Sequence, residues 1–165
     1  MSKSLKRVRA ALDAAAIPTE IRETALARTA VDAAAALNCK VDQIAKSIIF
    51  KAEHSAQAVL FLTAGSRRVD PAKAARLVGE PLGKADAALV RAQTGFAIGG
   101  VSPVGHLSPI RAFFDPHLLE FEVIWAAAGT PHHVFCAAPR TLQALCNAEL
   151  SDFTLTQEAI GPASP

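Results

Sequence analysis

The chain has 165 residues, of which 51% are hydrophobic and 19% are charged, a balance that suits one folded domain (1–165) and excludes a disordered protein. A formal net charge of +2 does not by itself indicate nucleic-acid binding, and a chain with one tryptophan and no tyrosine has few platforms for stacking bases. No apolar run approaches the roughly 20 residues that span a bilayer, and the basic N-terminus lacks the apolar segment of a secretory signal, so we expect a soluble cytoplasmic protein.

The first third of the chain predicts two helices separated by a short strand. An apolar stripe at helical spacing predicts an amphipathic helix from Ser4 to Ala16, and residues 20–23 predict the strand. Thr29 stands at the N-cap of the second helix, with Asp32 three residues later as in a capping box. Asn38, which tolerates the left-handed conformation, ends this helix.

The middle of the chain predicts an antiparallel hairpin. Residues 47–51 and 58–63 are almost continuously apolar, so we expect two strands that are buried on both faces. A short helix over residues 41–45 precedes the hairpin and puts Lys46 at a helix-to-strand junction. Asp70 and Pro71 then open a helix that runs to about residue 78, with proline at the favoured first position.

The rest of the chain predicts alternating helices and strands. Helices are expected over residues 85–93, ended by Gly95, and over 140–147 after Pro139. Strands are expected from Phe96 into a glycine-rich loop and over residues 111–115, 122–126 and 133–137, while the tail 161–165 is expected to fray. The order of elements predicts an α/β or α+β domain with a mixed, curved, partly barrel-like β-sheet flanked by helices.

The glycine-rich loop, residues 96–106, is the strongest functional signal. Glycine lets backbone approach a ligand closely and proline stiffens a loop, so several N–H groups can converge on a phosphate, a carboxylate or an oxyanion. The alternative is a structural turn at a hairpin or a barrel corner.

Two further blocks carry candidate site residues. Lys46 enters an apolar strand and is either an electrostatic anchor for a phosphate or carbonyl oxygen, or a snorkelling or ion-paired lysine. Residues 128–135 place His132 and His133 after a turn of small residues, and strand alternation predicts that one faces the interior. We expect His133 to be the interior one, the alternative being a hydrogen-bonded structural histidine.

Other chemistries are poorly supported. Ser102 does not stand in a nucleophile-elbow pattern, so we interpret it as a turn residue rather than as the nucleophile of a serine hydrolase. The histidines and cysteines lack metal-ligand spacing, so we expect no metal, and nothing adjacent activates Cys39. The three cysteines, an odd number, do not indicate a disulfide framework.

Basic residues form two groups that could meet a nucleic-acid backbone, although solvated helix faces are an equal interpretation for the first. The first group is N-terminal and the second follows the hairpin: Lys3, Lys6, Arg7 and Arg9, then Arg67, Arg68, Lys73 and Arg76.

The three blocks around Lys46, the glycine loop and His133 together resemble the YbaK/prolyl-tRNA synthetase editing-domain family, over about residues 5–153. Members of that family hydrolyse wrongly charged aminoacyl-tRNA. The resemblance implies a curved sheet with flanking helices and the following site residues. The catalytic set is Lys46, Gly99, Gly100 and Ser102, and the substrate-binding set is Thr29, Pro103, Gly105, His106, Gly129 and His133.

The resemblance therefore implies a trans-editing deacylase without a cofactor. The expected substrate is tRNA(Pro) carrying a small wrong amino acid such as alanine, with cysteine as the alternative, and an aminoacyl-tRNA synthetase is a possible partner. A non-catalytic module that binds tRNA or a synthetase, and an esterase or amidase of small metabolites, remain as alternatives.

Overall fold

The computed structural model describes residues 2–156, in which five α-helices and eight β-strands occur. The helices are α1 (Lys3–Ala14), α2 (Ala30–Leu37), α3 (Pro71–Val78), α4 (Ala87–Thr94) and α5 (Pro139–Leu145). The strands are β1 (Arg22–Glu23), β2 (Ala45–Ala52), β3 (Ala58–Ala64), β4 (Leu82–Lys84), β5 (Arg111–Phe114), β6 (Ile124–Ala127), β7 (His133–Ala137) and β8 (Glu149–Leu150). Two 3-10 turns lie at Val41–Gln43 and Pro116–Glu120. None of the described helices has the length and apolar character needed to cross a membrane.

The helix ends follow the residues that predicted them. The Thr29 hydroxyl accepts the Asp32 N–H at 3.1 Å, which starts α2, and Asn38 ends it in the left-handed conformation at φ 52°. Asp70 caps α3 by accepting backbone N–H groups of the first turn. Gly95 ends α4 at φ 82°, a conformation that favours glycine.

The strands form a mixed five-stranded sheet and an antiparallel three-stranded sheet. The first has the order β4-β2-β3-β5-β8, with β2–β3 antiparallel as predicted and β3–β5 parallel, and the second has the order β1-β7-β6. A bridge between Ile44 and Trp125 joins the start of β2 to β6. The mixed α/β class is confirmed, and the two sheets do not close into a barrel.

Hydrophobic packing covers both faces of β3. Every residue of β3 is buried, as predicted. On one face of the strand, Leu60 and Leu62 belong to the main core, together with Val8 and Leu12 of α1. On its other face, Phe61 stacks on Phe113 with ring centroids 5.1 Å apart.

Burial on both faces does not extend to β2, and that prediction was wrong. Only its first and last residues, Ala45 and Ala52, are buried. The six residues between them are half-buried, and three of these, Lys46, Ser47 and Ile48, border an open cleft.

The sequence missed three further features. Residues 96–98 do not form a strand, because the chain turns through Gly99 and the Gly100 N–H donates to the Ala97 carbonyl at 3.1 Å. Strands β4 and β8 were not predicted. The tail over residues 161–165 lies outside the described residues.

Candidate functional site

A cleft of about 640 Å³ opens where the two sheets meet. It is bounded by the start of α2, the start of β2, the turn after β3, the glycine loop and the β6–β7 turn. Four of the predicted site residues line it: Thr29, Lys46, Gly99 and His133. The fold thus brings one residue from each predicted block, distant in sequence, to the same surface.

Lys46 is the second residue of β2 and extends its ammonium towards the turn after β3. Nζ donates a hydrogen bond of 2.6 Å to the Arg67 carbonyl oxygen. Partial burial, and then the neighbouring Arg68 guanidinium, lower the Lys46 pKa, while the Asp42 and Asp115 carboxylates oppose this shift. Because an ammonium has three N–H donors, two remain for a ligand.

The glycines of the loop have two different roles. Gly99 has φ +92° and borders the cleft, and a Cβ built there would meet nothing within 4 Å. A Cβ on Gly100 would lie 2.8 Å from the Thr130 carbonyl carbon, so the absent side chain allows two backbones to pack. Within residues 2–156 the N–H groups of Gly99 and Val101, which both line the cleft, donate to no acceptor. Two backbone donors without an internal acceptor therefore belong to residues that line the same cleft as Lys46.

His133 is held in place by the turn that precedes β7. Its Nδ1 lies 2.6 Å from the Thr130 hydroxyl, which also accepts the His132 N–H at 3.1 Å. The ring is half-buried at the cleft, as predicted, while His132 is exposed; His132 lies in the turn before β7, so strand alternation does not determine its exposure. Among the described residues Nε2 of His133 has no partner, so this nitrogen is free to contact a ligand or a water molecule.

The remaining residues of the predicted glycine/proline block shape the loop behind the cleft and do not line it. Ser102 is fully buried, and its hydroxyl accepts the Val104 N–H at 3.1 Å, which is the contact of a turn residue. Pro103 is buried beside it. His106 places Nε2 2.7 Å from the Ser102 carbonyl oxygen, and burial lowers its pKa.

Gly105 and Gly129 pack against α1. Both have positive φ, at +80° and +100°, and a Cβ on either would lie about 3.1 Å or less from the α1 backbone. Their nearest backbone neighbours are Arg7 and Ser4. These glycines therefore let the loops approach the first helix.

Arg7 is an internal clamp rather than part of a solvated N-terminal face. Its guanidinium donates to the Gly95 carbonyl at 2.6 Å and to the Gly105 carbonyl at 3.2 Å, and it lies 4.9 Å from the centre of the Phe96 ring. Both ends of the glycine loop are thus attached to α1. From the sequence we placed Arg7 in the N-terminal basic group, because the pattern of a basic helix face does not show that one of its residues binds carbonyls far along the chain.

The charged side chains that line the cleft are all basic. Its lining contains three arginines and one lysine, Arg28, Arg67, Arg68 and Lys46, and no aspartate or glutamate. The nearby acids lie behind it: Asp42 accepts the Ser66 N–H at 2.8 Å, and buried Asp115 accepts the Ala64 N–H at 3.1 Å. The sequence predicted a basic group at Arg67 and Arg68 but gave no signal for Arg28.

Ser47 is a cleft residue that the sequence did not single out. Its hydroxyl oxygen is buried and has no hydrogen-bond partner within the described residues. Buried hydroxyls are nearly always paired, so this one is a candidate contact for a bound ligand.

The metal and cysteine alternatives receive no geometric support. Within residues 2–156 no three His, Cys, Asp or Glu side chains come together in a group that could hold a metal. Burial raises the pKa of the Cys39 thiol, which disfavours the nucleophilic thiolate, and raises the pKa of Cys146 to about 12.

Comparisons with known proteins find sequence and structural similarity over most of the chain. The sequence model of the aminoacyl-tRNA editing domain matches residues 24–145. A solved structure described as a candidate trans-editing enzyme for prolyl-tRNA synthetase is 43% identical with a TM-score of 0.87, over 94% of this chain and 99% of that one. The hypothetical protein APE2540 has a TM-score of 0.82 at 24% identity, over 90% of this chain and 99% of that one, a likeness of fold alone. The uncharacterized protein YwhH of Bacillus subtilis (strain 168) is 28% identical over 78% of this chain and 76% of its own length.

Proposed function

Because the chain belongs to the aminoacyl-tRNA editing-domain family, we propose that it is a trans-acting deacylase that hydrolyses mischarged aminoacyl-tRNA. The first candidate substrate is tRNA(Pro) carrying a small wrong amino acid, alanine first and cysteine as the alternative. A solved structure 43% identical to this chain is described as a candidate trans-editing enzyme for prolyl-tRNA synthetase, which favours this tRNA. The observation that carries the proposal is the convergence of Lys46, Gly99 and His133 on one cationic cleft.

The cleft supplies what ester hydrolysis needs. Water adds to the ester carbonyl carbon and gives up a proton while the carbonyl oxygen takes up negative charge. The bond to the ribose oxygen then breaks as that oxygen takes up a proton, so the proton lost by water is balanced by the one gained by the ribose. The free N–H groups of Gly99 and Val101, with the Lys46 ammonium, are donors for the developing oxyanion, and one such donor contributes roughly 3–4 kcal/mol. Nε2 of His133 is the candidate group for orienting the water.

No side-chain nucleophile is required in this scheme. The ester that links an amino acid to tRNA is already activated, so positioning of water and stabilisation of the oxyanion are sufficient. The buried, backbone-bonded hydroxyl of Ser102 is consistent with this. The proposed roles are therefore oxyanion stabilisation by Lys46 and the glycine loop, orientation of the water by His133, and binding by Thr29.

Which amino acid is removed from the tRNA depends on how well its side chain fits against the small side chains of the cleft wall. That wall includes six alanines: Ala27, Ala30, Ala33, Ala45, Ala126 and Ala127. A difference of one methylene changes the discrimination between two substrates by only about 1–3 kcal/mol. The choice between alanine and cysteine as the amino acid removed therefore needs an experiment and does not follow from the shape of this wall.

The test is single-turnover deacylation of tRNA(Pro) charged in turn with alanine, cysteine, serine and proline. We compare the wild type with Lys46→Ala and with Lys84→Ala, which removes an exposed lysine outside the cleft. We expect rapid release of one small amino acid, loss of that release only in Lys46→Ala, and no release of proline. Absence of hydrolysis by the wild type, with tRNA still bound, would instead favour a binding module. Equal turnover of a small ester and of aminoacyl-tRNA would favour the metabolite esterase.

A further inference from the structure

We propose that Arg28 and Arg68, termed here the arginine pair, bind two phosphodiester groups in the single-stranded 3′ end of the tRNA. This inference rests on the proposed function and extends it from the ester to the strand that carries it. Both arginines line the cleft and come from separate segments, one just before α2 and the other in the turn after β3.

The arginine pair is free to bind an external anion. Both side chains are exposed, and within residues 2–156 neither guanidinium makes a hydrogen bond or an ion pair. Some other arginines are engaged: Arg9 pairs with Asp13, and Arg111 donates to two carbonyls at the end of α3. An unpaired guanidinium has five N–H donors in a planar fork that matches a phosphate.

Among the described residues no carboxylate lines the cleft. Asp115 lies 4.0 Å from the Arg67 guanidinium and Asp42 acts on Lys46 from outside the lining, but neither pairs with a member of the arginine pair. Arg68 stands near enough to Lys46 that repulsion contributes to lowering the Lys46 pKa. An anion bound by Arg68 would relieve this repulsion. Within residues 2–156 the arginine pair therefore has no ion-pair partner, and a negatively charged ligand would supply one.

The chemistry of the substrate identifies that anion. The carboxyl group of an aminoacyl-tRNA is esterified and its α-amino group is cationic or neutral, so the amino acid offers the cleft no negative charge. The negative charges near the ester are the phosphodiesters of the strand. Val31 and Ile98, which are 63% and 53% exposed, add apolar surface beside this cleft for the faces of the bases.

The test measures binding of an uncharged oligoribonucleotide with the tRNA 3′ terminal sequence by fluorescence anisotropy over a series of salt concentrations. The variants are Arg28→Gln, Arg68→Gln and the double variant. Arg140→Gln is the matched control, because Arg140 is exposed on α5 outside the cleft. Each phosphate contact to a single strand contributes about 0.7 to the slope of log affinity against log salt concentration.

We expect each cleft variant to lose about 0.7 of that slope and roughly 2- to 5-fold in affinity. In the double variant the slope losses should add and the fold-losses in affinity should multiply. The control should keep the wild-type slope, and thermal unfolding should be unchanged in all variants. Unchanged slopes in the cleft variants, or an equal loss in Arg140→Gln, would overturn the proposal.

A second readout separates this inference from the proposed function. If the wild type deacylates tRNA, the cleft variants should raise KM and leave kcat unchanged, and an unaltered KM would overturn the inference while the function stands. If the wild type hydrolyses nothing but binds the oligonucleotide through the arginine pair, the function fails and the inference stands.

Discussion

Replacing Gly100 with alanine should separate the glycine loop from the turn that holds His133. The new Cβ would lie 2.8 Å from both the Cα and the carbonyl carbon of Thr130 and 3.1 Å from the Pro131 nitrogen, whereas ordinary contact begins at 3.4 Å. Because both sides of this contact are backbone, no side chain can rotate away. The two segments must therefore move apart by about 0.6 Å, the difference between 2.8 and 3.4 Å.

That displacement acts on the site through Thr130. The Thr130 hydroxyl holds His133 Nδ1 at 2.6 Å, so a shift of this turn moves the imidazole relative to Gly99 and Lys46. Overpacking of this kind costs about 1–3 kcal/mol of stability. A 1 Å misplacement can cost about 100-fold in rate, so we expect Gly100→Ala to lower single-turnover kcat by roughly 10- to 100-fold.

Gly99→Ala is the matched control for this prediction. Its Cβ would meet nothing within 4 Å, but the residue has φ +92°, so the variant loses about 1–2 kcal/mol through backbone strain. Because the methyl group projects beside the cleft, its effect should fall on KM more than on kcat. We would measure thermal unfolding, single-turnover kinetics and the NMR signals of the His133 ring in both variants. A folded Gly100→Ala protein with wild-type kcat and an unshifted His133 would refute the reasoning.

Three further perturbations test other parts of the structure. Burial lowers the His106 pKa below its ordinary 6.5; the hydrogen bond to the Ser102 carbonyl opposes this shift, and the Arg7 charge adds to it. On acidification, His106 therefore takes up its proton at a higher pH in the unfolded chain than in the folded protein. The wild type should therefore lose stability relative to His106→Gln as pH falls below about 6.5, and a constant difference in melting temperature from pH 7.5 to 5 would contradict this. Ser47→Ala removes an unpartnered hydroxyl, so its melting temperature should not fall; if the hydroxyl contacts substrate, KM should rise, and unchanged kinetics would exclude that contact. Arg7→Met removes two charged hydrogen bonds to the ends of the glycine loop and should lower the free energy of unfolding by about 2–4 kcal/mol, as measured by urea denaturation, whereas a loss under 1 kcal/mol would mean that the clamp is not needed.

The sequence predicted the helix ends correctly where residues close together in the chain determine them. Thr29, Asp70 and Gly95 act within one helical turn, so the sequence was sufficient to locate the ends of their helices. The β2–β3 hairpin was predicted from two apolar runs with a short connection. Residues 96–98 were misread because an apolar run becomes a strand only where another strand pairs with it, and none does there. Strands β4 and β8 were missed for the opposite reason. Their residues have a weak strand preference and become strands because they pair with the neighbouring strands β2 and β5.

The candidate site also contains residues that the sequence predicted and residues that it did not. The three blocks around Lys46, Gly99 and His133 were identifiable as a set because together they resemble a known family, and the cleft brings them together. The partners that complete the cleft were not predictable from local pattern. Arg28 gave no sequence signal, and Arg7 reaches Gly105 across 98 residues of chain. Such contacts exist only once the sheets have packed.

The most direct test of the central claim is an NMR titration with a non-hydrolysable 3′-aminoacylamino analogue of the tRNA terminal adenosine. The account predicts that chemical-shift changes concentrate on the backbone amides of Lys46, Gly99, Val101 and His133, which surround the cleft. Changes that avoid these residues and fall elsewhere, for example on the shallow groove between Lys73 and Asp152, would contradict it.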